Sequence, residues 1–373
     1  MENEAGRVLR RLGRTGFEVN VLGLGGHTHP VGNGPEFFLS PDDRAHLIHY
    51  LVSSGVNYFD TTYKEEVELL ADSFRRANIK EDVVISLYGG FISAQQWHQK
   101  LRSELESRLA ILGYSRAPLF LASVGDGDAS YDDIVAACEA MRKFKEEDLV
   151  QNIGLSCHAI NLFPTIGKVI RETDMIDYIM IRFNWKVQQA NEELFPIAEE
   201  HDVGIVAMKL FCWDCAPSQW EMKISVFESA GRKDHPENNL SLTPAQRHLV
   251  WCIQNSPCDV VVPAMNTLRE AKENVQSLGS IGVKVATEEF EDYGARLWNK
   301  AELKRLALYA ESKTIRERAR ALWRPRQGLG HLLIRTIKAH YRILRDEGFK
   351  KYLLYSYLYR REQISLRIKK IRL

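Results

Sequence analysis

Gly55-Val56-Asn57-Tyr58-Phe59-Asp60-Thr61-Thr62-Tyr63 is the stretch on which the fold turns. Val56, Tyr58 and Phe59 suit a short buried strand, and Gly55 breaks the helical pattern before it. An acid, Asp60, and a phenol, Tyr63, come where the strand runs out. Out of context such an Asp is a turn or cap residue. At the end of a strand in a parallel barrel, the same residue sits on the face where chemistry is done.

Working outward, the chain alternates. Ser40-Pro41-Asp42-Asp43 is a helix start, with a Ser cap, Pro at the first position and acids in the first turn. Helix 41–54 leads to strand 58–61, helix 65–77 to strand 83–87, helix 94–112 to strand 119–122, and helix 131–146 to strand 152–156. Helix 160–172 then leads to strand 178–183, and helix 192–201 to strand 204–209. A long, polar 211–243 insertion precedes helix 244–254, strand 260–263 and a last helix at 267–277. Upstream, residues 10–26 read as a small hairpin and then a first buried strand, Val21–Gly25. The strands Val83-Val84-Ile85 and Val260-Val261-Val262 lack alternation, as strands covered on both faces do. Eight βα units over residues 1–285 predict an α/β chain: a closed (β/α)8 barrel of the TIM type behind an N-terminal β-hairpin. Gly23, Gly25 and Gly26 do not make a dinucleotide fingerprint, because no helix opens directly after them.

Composition fits a globular chain of 373 residues, 45% hydrophobic and 27% charged. Net charge is +1, but residues 300–373 hold 21 Lys and Arg against 6 Asp and Glu. Residues 286–373 therefore read as a basic helical C-terminal extension. The acidic start and the lack of a long apolar run predict a cytoplasmic protein without a signal peptide or membrane span. The six scattered cysteines predict reduced thiols. Cys212 and Cys215 have the spacing of a redox or metal pair, but no second pair exists, so no metal or iron–sulfur cluster is expected.

The ordered set of short motifs resembles the aldo-keto reductase family. Leu12-Gly13-Arg14-Thr15-Gly16 with Val19–Gly25 is similar to its opening hairpin and first strand, and Gly55–Thr61 to its second strand with the catalytic Asp. Ile153-Gly154-Leu155-Ser156, Phe183-Asn184 and His201–Met208 resemble strands five to seven. Val262-Pro263-Ala264-Met265-Asn266, running on to Glu273-Asn274, looks like the cofactor phosphate segment. The resemblance implies hydride transfer from NADPH, with NADH as the alternative, to a small carbonyl substrate, and proton donation by a Tyr tuned by Lys and Asp, with a His nearby. Asp60 matches the Asp. Tyr63 is the matching phenol, closer to the Asp than in the family. The family's Lys position holds Tyr88, its His position Ser123, and its amide-binding Gln position Met180.

Other residues offer themselves as replacements. Tyr88 is a second donor on the same face, or an aromatic lining the mouth. His158, after strand five, is a general acid or a solvated loop residue. Ser156 matches the residue that holds the nicotinamide amide. Lys209 ends strand seven, where it contacts cofactor or restores a positive charge. Thr267 and Glu270 have capping-box spacing, so Asn266 and Arg269 flank a helix N-terminus suited to phosphate, with Glu273 and Asn274 one turn on. Two function classes follow: an NAD(P)H-dependent oxidoreductase with altered catalytic partners, or a non-catalytic nucleotide-binding or scaffold barrel. The basic extension is expected to pack on the acidic barrel, with an anionic membrane surface or nucleic acid as other partners.

Overall fold

The computed structural model describes residues 7–26, 39–80, 82–92, 97–124, 129–185, 187–211 and 242–288. Expectations placed on the polar loop at 27–38, on the insertion at 212–241 with Cys212 and Cys215, and on the tail from 289 fall outside these residues.

A two-stranded antiparallel hairpin opens the chain, β1 (Leu9–Arg11) with β2 (Glu18–Asn20). Seven parallel strands follow in unbroken neighbour order: β3 (Tyr58–Thr61), β4 (Val84–Phe91), β5 (Ala117–Ser123), β6 (Val150–Cys157), β7 (Tyr178–Arg182), β8 (Gly204–Met208) and β9 (Val260–Val261). Helices make the crossovers that parallel pairing requires. They are α1 (Pro41–Ser53), α2 (Lys64–Ala77), α3 (Trp97–Leu112), α4 (Tyr131–Glu146), α5 (Phe163–Thr173), α6 (Ala190–Glu193), α7 (Phe195–Glu200), α8 (Pro244–Gln254) and α9 (Leu268–Ser277).

Residues 21–25 close the ring. Leu22 bridges Val261 and Leu24 bridges Phe59, both in parallel sense. The Gly23 N–H donates to the Val261 carbonyl at 2.9 Å, and the Asp60 N–H to the Leu24 carbonyl at 2.8 Å. The predicted first strand is thus present as a pair of bridges between the last strand and β3, and the barrel has eight staves.

Alternation along each strand divides the apolar residues into two cores. Tyr58, Val84, Leu121, Tyr178, Val206 and Val260 fill the lumen, and Leu12 and Val19 of the hairpin join that cluster from below. Phe59 faces the other way, into the layer between sheet and helices, and meets Phe74 of α2 edge-on at 5.6 Å. The hairpin is fixed at the N-terminal ends of the strands. Asn57 accepts the Asn20 N–H at 2.8 Å, Asn152 donates to the Thr15 carbonyl at 3.2 Å, and Arg14 N–H donates to the Asp202 carbonyl at 2.7 Å. The plug leaves the C-terminal ends of the strands as the mouth.

Two elements differ from their sequence reading. The single helix expected at 192–201 is split into α6 and α7 at Leu194 (φ −136°), two residues before Pro196, whose missing N–H interrupts the helical ladder. β4 runs to Phe91 rather than ending at 87, through a register shift after Tyr88 that Gly90 permits at φ +117°.

Candidate active site

Asp60 is the third residue of β3, on the lumen side with Tyr58, and lies opposite Ser86 of β4. Its Oδ2 accepts the Gly26 N–H at 3.2 Å. A Cβ on Gly26 would stand 3.0 Å from that oxygen and 2.6 Å from the Thr62 hydroxyl, so only glycine lets the backbone approach this closely. The neighbouring Gly25 N–H donates to the Pro263 carbonyl at 2.8 Å. Gly25 and Gly26 therefore join the acid at the mouth to the segment that leads into α9.

Burial raises the Asp60 carboxyl to about 7, and the nearby Glu66 carboxylate adds to the rise; the Gly26 and Thr61 N–H groups and the Lys209 ammonium oppose it. Lys209 follows β8 in left-handed backbone at φ +62°, a conformation a non-glycine residue adopts only when its surroundings impose it. Asn184, fully buried, imposes it by donating Nδ2 to the Lys209 carbonyl at 2.9 Å while its Oδ1 accepts the Val187 N–H at 3.0 Å.

Tyr63 is the residue before α2 and is 38% exposed. Partial burial and the Glu66 and Glu65 carboxylates raise its phenol above the ordinary tyrosine value. Glu66, nearly fully buried, accepts the Thr62 N–H at 2.7 Å and the Tyr63 N–H at 3.1 Å, which satisfies donors at the start of α2. Arg108 of α3, also buried, donates to the Thr62 carbonyl at 3.3 Å. The turn carrying Tyr63 is thus held from two sides.

Tyr88 of β4 is partly exposed at the mouth and packs edge-on against Phe91 at 5.9 Å between ring centres. Ser123 and Ser156 are register partners at the ends of β5 and β6, and Ser156 pairs in turn with Met180 of β7. His158 follows β6 and is partly exposed. Asp60, Tyr88, Ser123 and Ser156 lie in the mouth-side halves of their strands, and Lys209 directly follows β8 on the same side.

The remaining predicted residues belong to α9. Thr267 caps it, accepting the Glu270 N–H at 3.1 Å, while Glu270 Oε2 reaches back to the Asn266 N–H at 2.6 Å. The Asn266 side-chain oxygen is buried with no hydrogen-bond partner. Arg269 is exposed and lines, with Leu268, Lys272, Glu273 and Gln276, a shallow groove of about 430 Å³. Glu273 accepts the Thr243 hydroxyl and, through its carbonyl, Gln246 Nε2 at 2.8 Å; Asn274 is buried, and its carbonyl accepts the Ser277 hydroxyl at 2.6 Å. Glu273 therefore ties α9 to α8.

Sequence reading missed Gly26, Glu66 and Arg182. Arg182 ends β7 fully buried, on the same side of the strand as Tyr178 and Met180. Two of these had a legible signal: a Gly-Gly pair directly after an apolar strand, and a Glu three residues into a helix that follows a strand end.

A family model described as "Aldo/keto reductase family" matches residues 21–212, about half of the chain. The chain belongs to the aldo/keto reductase family. This is an oxidoreductase family that generally uses NAD(P)H. Among the relatives of this aldo/keto reductase, the Glycine max protein "Probable aldo-keto reductase 1" is 24% identical over 313 residues, covering 76% of this chain and 86% of the relative. An aldo-keto reductase structure from Pseudomonas aeruginosa superposes with TM-score 0.56 at 20% identity, covering 75% of this chain and 98% of that one. The holo form of aldo-keto reductase AKR11C1 from Bacillus halodurans gives 0.55 at 16% identity, covering 84% and 99%. At such identities the two structures speak for the fold alone, a (β/α)8 barrel.

Proposed function

We propose that this aldo/keto reductase reduces a small carbonyl compound with a nicotinamide cofactor at the mouth of its barrel, using Asp60 with substituted partners. The observation that carries the reading is the Asp60 carboxyl, held by Gly26 and raised to about 7, with Lys209 fixed in left-handed backbone within its electrostatic reach. Strained backbone and perturbed carboxyls cluster at functional sites. The orphaned Asn266 oxygen and the groove along α9 fit a bound dinucleotide. When bound, such a cofactor supplies the hydride.

The protein's own residues must then hold the carbonyl and deliver a proton to its oxygen. Ser156, at the family's amide-binding position, is assigned to hold the nicotinamide amide. Tyr63 keeps its proton at neutral pH and is the first donor, with Tyr88 as the second. Lys209 supplies the positive charge that the family draws from the position occupied by Tyr88. His158, two residues after Ser156, is assigned a supporting role as a general acid.

A panel of aldehydes and ketones, with oxidation of the reduced cofactor followed by absorbance, tests this. Tyr63→Phe is expected to lower kcat about 10²- to 10⁴-fold, the usual range for losing a general acid. Lys209→Met is expected to lower kcat and move the pH profile alkaline, since the cation no longer opposes the rise of Asp60. Unchanged rates in both variants would remove these assignments. The second reading, a barrel that binds nucleotide without turnover, draws on Tyr88 and Ser123 standing at the family's Lys and His positions. Cofactor binding with no turnover across the panel would favour it.

A further inference from the structure

We propose that Tyr58, Ser86 and Tyr178 form a chain of hydroxyls inside the barrel that holds the Asp60 carboxylate from the lumen side, with the Tyr58 proton turned toward it. They are positioning residues that act through Asp60, and their part in turnover rests on the oxidoreductase reading above. Bulky branched side chains ordinarily fill the interior of such a barrel. Here two phenols and a serine hydroxyl are fully buried in it. Tyr58 and Tyr178 belong to the lumen cluster. Val84 belongs to it as well and Tyr88 packs against it, whereas Ile85 and Leu87 belong to the outer core, so alternation turns Ser86 inward. The Ser86 and Tyr178 hydroxyls lie 3.1 Å apart. The Tyr58 hydroxyl feels that of Ser86 but has no hydrogen-bond partner of its own. Ser86 is the register partner of Asp60, and Tyr58 precedes Asp60 by two residues on the same face of β3.

A buried hydroxyl without a partner is destabilising, and phenylalanine would fill the same space without that cost. Tyr58 is therefore a poor packing residue and a good donor. The charged acceptor within electrostatic reach of both phenols is Asp60. Asp177 reaches Tyr178 as well, but it is already engaged by Lys145 at 2.7 Å and by the Ile153 N–H at 2.8 Å. Burial pushes both phenols well above the ordinary tyrosine value, so they keep their protons while Asp60 titrates. Around Asp60, Glu66 of α2 opposes ionisation, and the Gly26 and Thr61 N–H groups and Lys209 after β8 favour it. Tyr58 adds a donor from within the barrel. A hydroxyl proton can swing to suit its acceptor, and a bond to a charged oxygen is stronger than one to a neutral oxygen. The Tyr58 proton thus turns to Asp60 as the acid ionises.

A pH titration of the Asp60 carboxyl by carbon NMR on the full-length protein, with Asp60→Asn to identify the signal, tests the proposal without needing turnover. Tyr58→Phe is expected to raise the Asp60 midpoint by about one pH unit, the scale of one lost hydrogen bond to a charged group. The pH profile of kcat should move alkaline by the same amount, with KM little changed. Tyr178→Phe, which takes the partner from Ser86 and leaves Tyr58 in place, should shift both in the same direction by less. A thermal melt accompanies each variant. A midpoint that stays at the wild-type value in Tyr58→Phe, with Tm unchanged or raised, overturns the proposal and makes Tyr58 a packing residue. If Tyr58→Phe does not fold, Tyr178→Phe decides in its place, and an unmoved midpoint there overturns the proposal equally. A shifted midpoint without turnover of any carbonyl sinks the oxidoreductase reading and upholds the hydroxyl chain. Turnover with an unmoved midpoint does the reverse.

Discussion

At the residue scale, the behaviour of Asp60 follows from conflict among its neighbours. Desolvation and Glu66 favour the neutral acid, whereas two N–H groups and Lys209 favour the carboxylate, and the balance leaves it near 7. A carboxyl raised in the folded state holds a proton there that the unfolded chain releases near its ordinary value of about 4. Its stabilising effect is therefore complete below about pH 4 and is lost as pH rises through about 7. Asp60→Asn mimics the protonated form at every pH. The variant should match the wild type at pH 4 and exceed it at pH 8 by on the order of 1–3 kcal/mol, a figure discounted for partial exposure, read as a rise in Tm. A variant no more stable at pH 8 than at pH 4, relative to wild type, would mean that Asp60 is ionised and adequately solvated in the fold.

At the element scale, the barrel depends on a few close approaches at glycines, where neighbouring strands leave no room for a Cβ. Gly154 of β6 shows the limit. A Cβ there would lie 2.5 Å from the Tyr178 ring and 2.6 Å from the Tyr178 carbonyl, and backbone cannot yield as a side-chain tip does. Tyr178 is fully buried, its hydroxyl 3.1 Å from that of Ser86 beneath Asp60. Gly154→Ala should cost at least about 1–3 kcal/mol, the usual overpacking range, measured by urea denaturation. A loss below about 0.5 kcal/mol would show that β6 and β7 can part at this point. The strands and helices themselves were legible in the sequence because their signals are local: apolar β-branched runs, Ser40 and Thr267 ahead of helices, Pro41 at a first turn. The structure bears out these caps, with Ser40 accepting the Asp43 N–H at 3.1 Å and Thr267 that of Glu270 at 3.1 Å. The extension of β4 through Gly90 was not legible, because it depends on where the neighbouring stave ends, whereas the split at Leu194 had a local signal in Pro196 that the sequence reading passed over. The site was legible only in part for a similar reason. Asp60 and Lys209 could be placed by counting along strands. The bonds that set their state come from Gly26 and Asn184, which are 34 and 25 positions away in the chain.

At the scale of the whole molecule, the decisive contact is the closure of the ring by residues 21–25, which pair with both β3 and β9. Both ends of the barrel's hydrogen-bonded circuit are satisfied within the described residues, and so is the plug of its lower end. The segment after α9 is bound back to α8: Gln254 Nε2 donates to the Ile281 carbonyl at 2.7 Å, its Oε1 accepts the Val285 N–H at 3.2 Å, and Trp251 Nε1 donates to Thr287 at 2.9 Å. Val285 is 5% exposed and part of the main core. These ties reach Thr287, so we propose a cut at 288 as the one to test against the boundary at 285 expected from the sequence. A chain ending at residue 288 is expected to fold and to melt in one cooperative transition, because an element that buries its own core and closes its own sheet needs no further surface. It also loses most of the basic excess. If the extension packs on the acidic barrel, as we propose, the full chain should melt a few degrees higher than the shortened one at low salt, with the difference shrinking as ionic strength rises. A shortened chain that aggregates or melts without cooperativity would make residues 289–373 part of the barrel's own core.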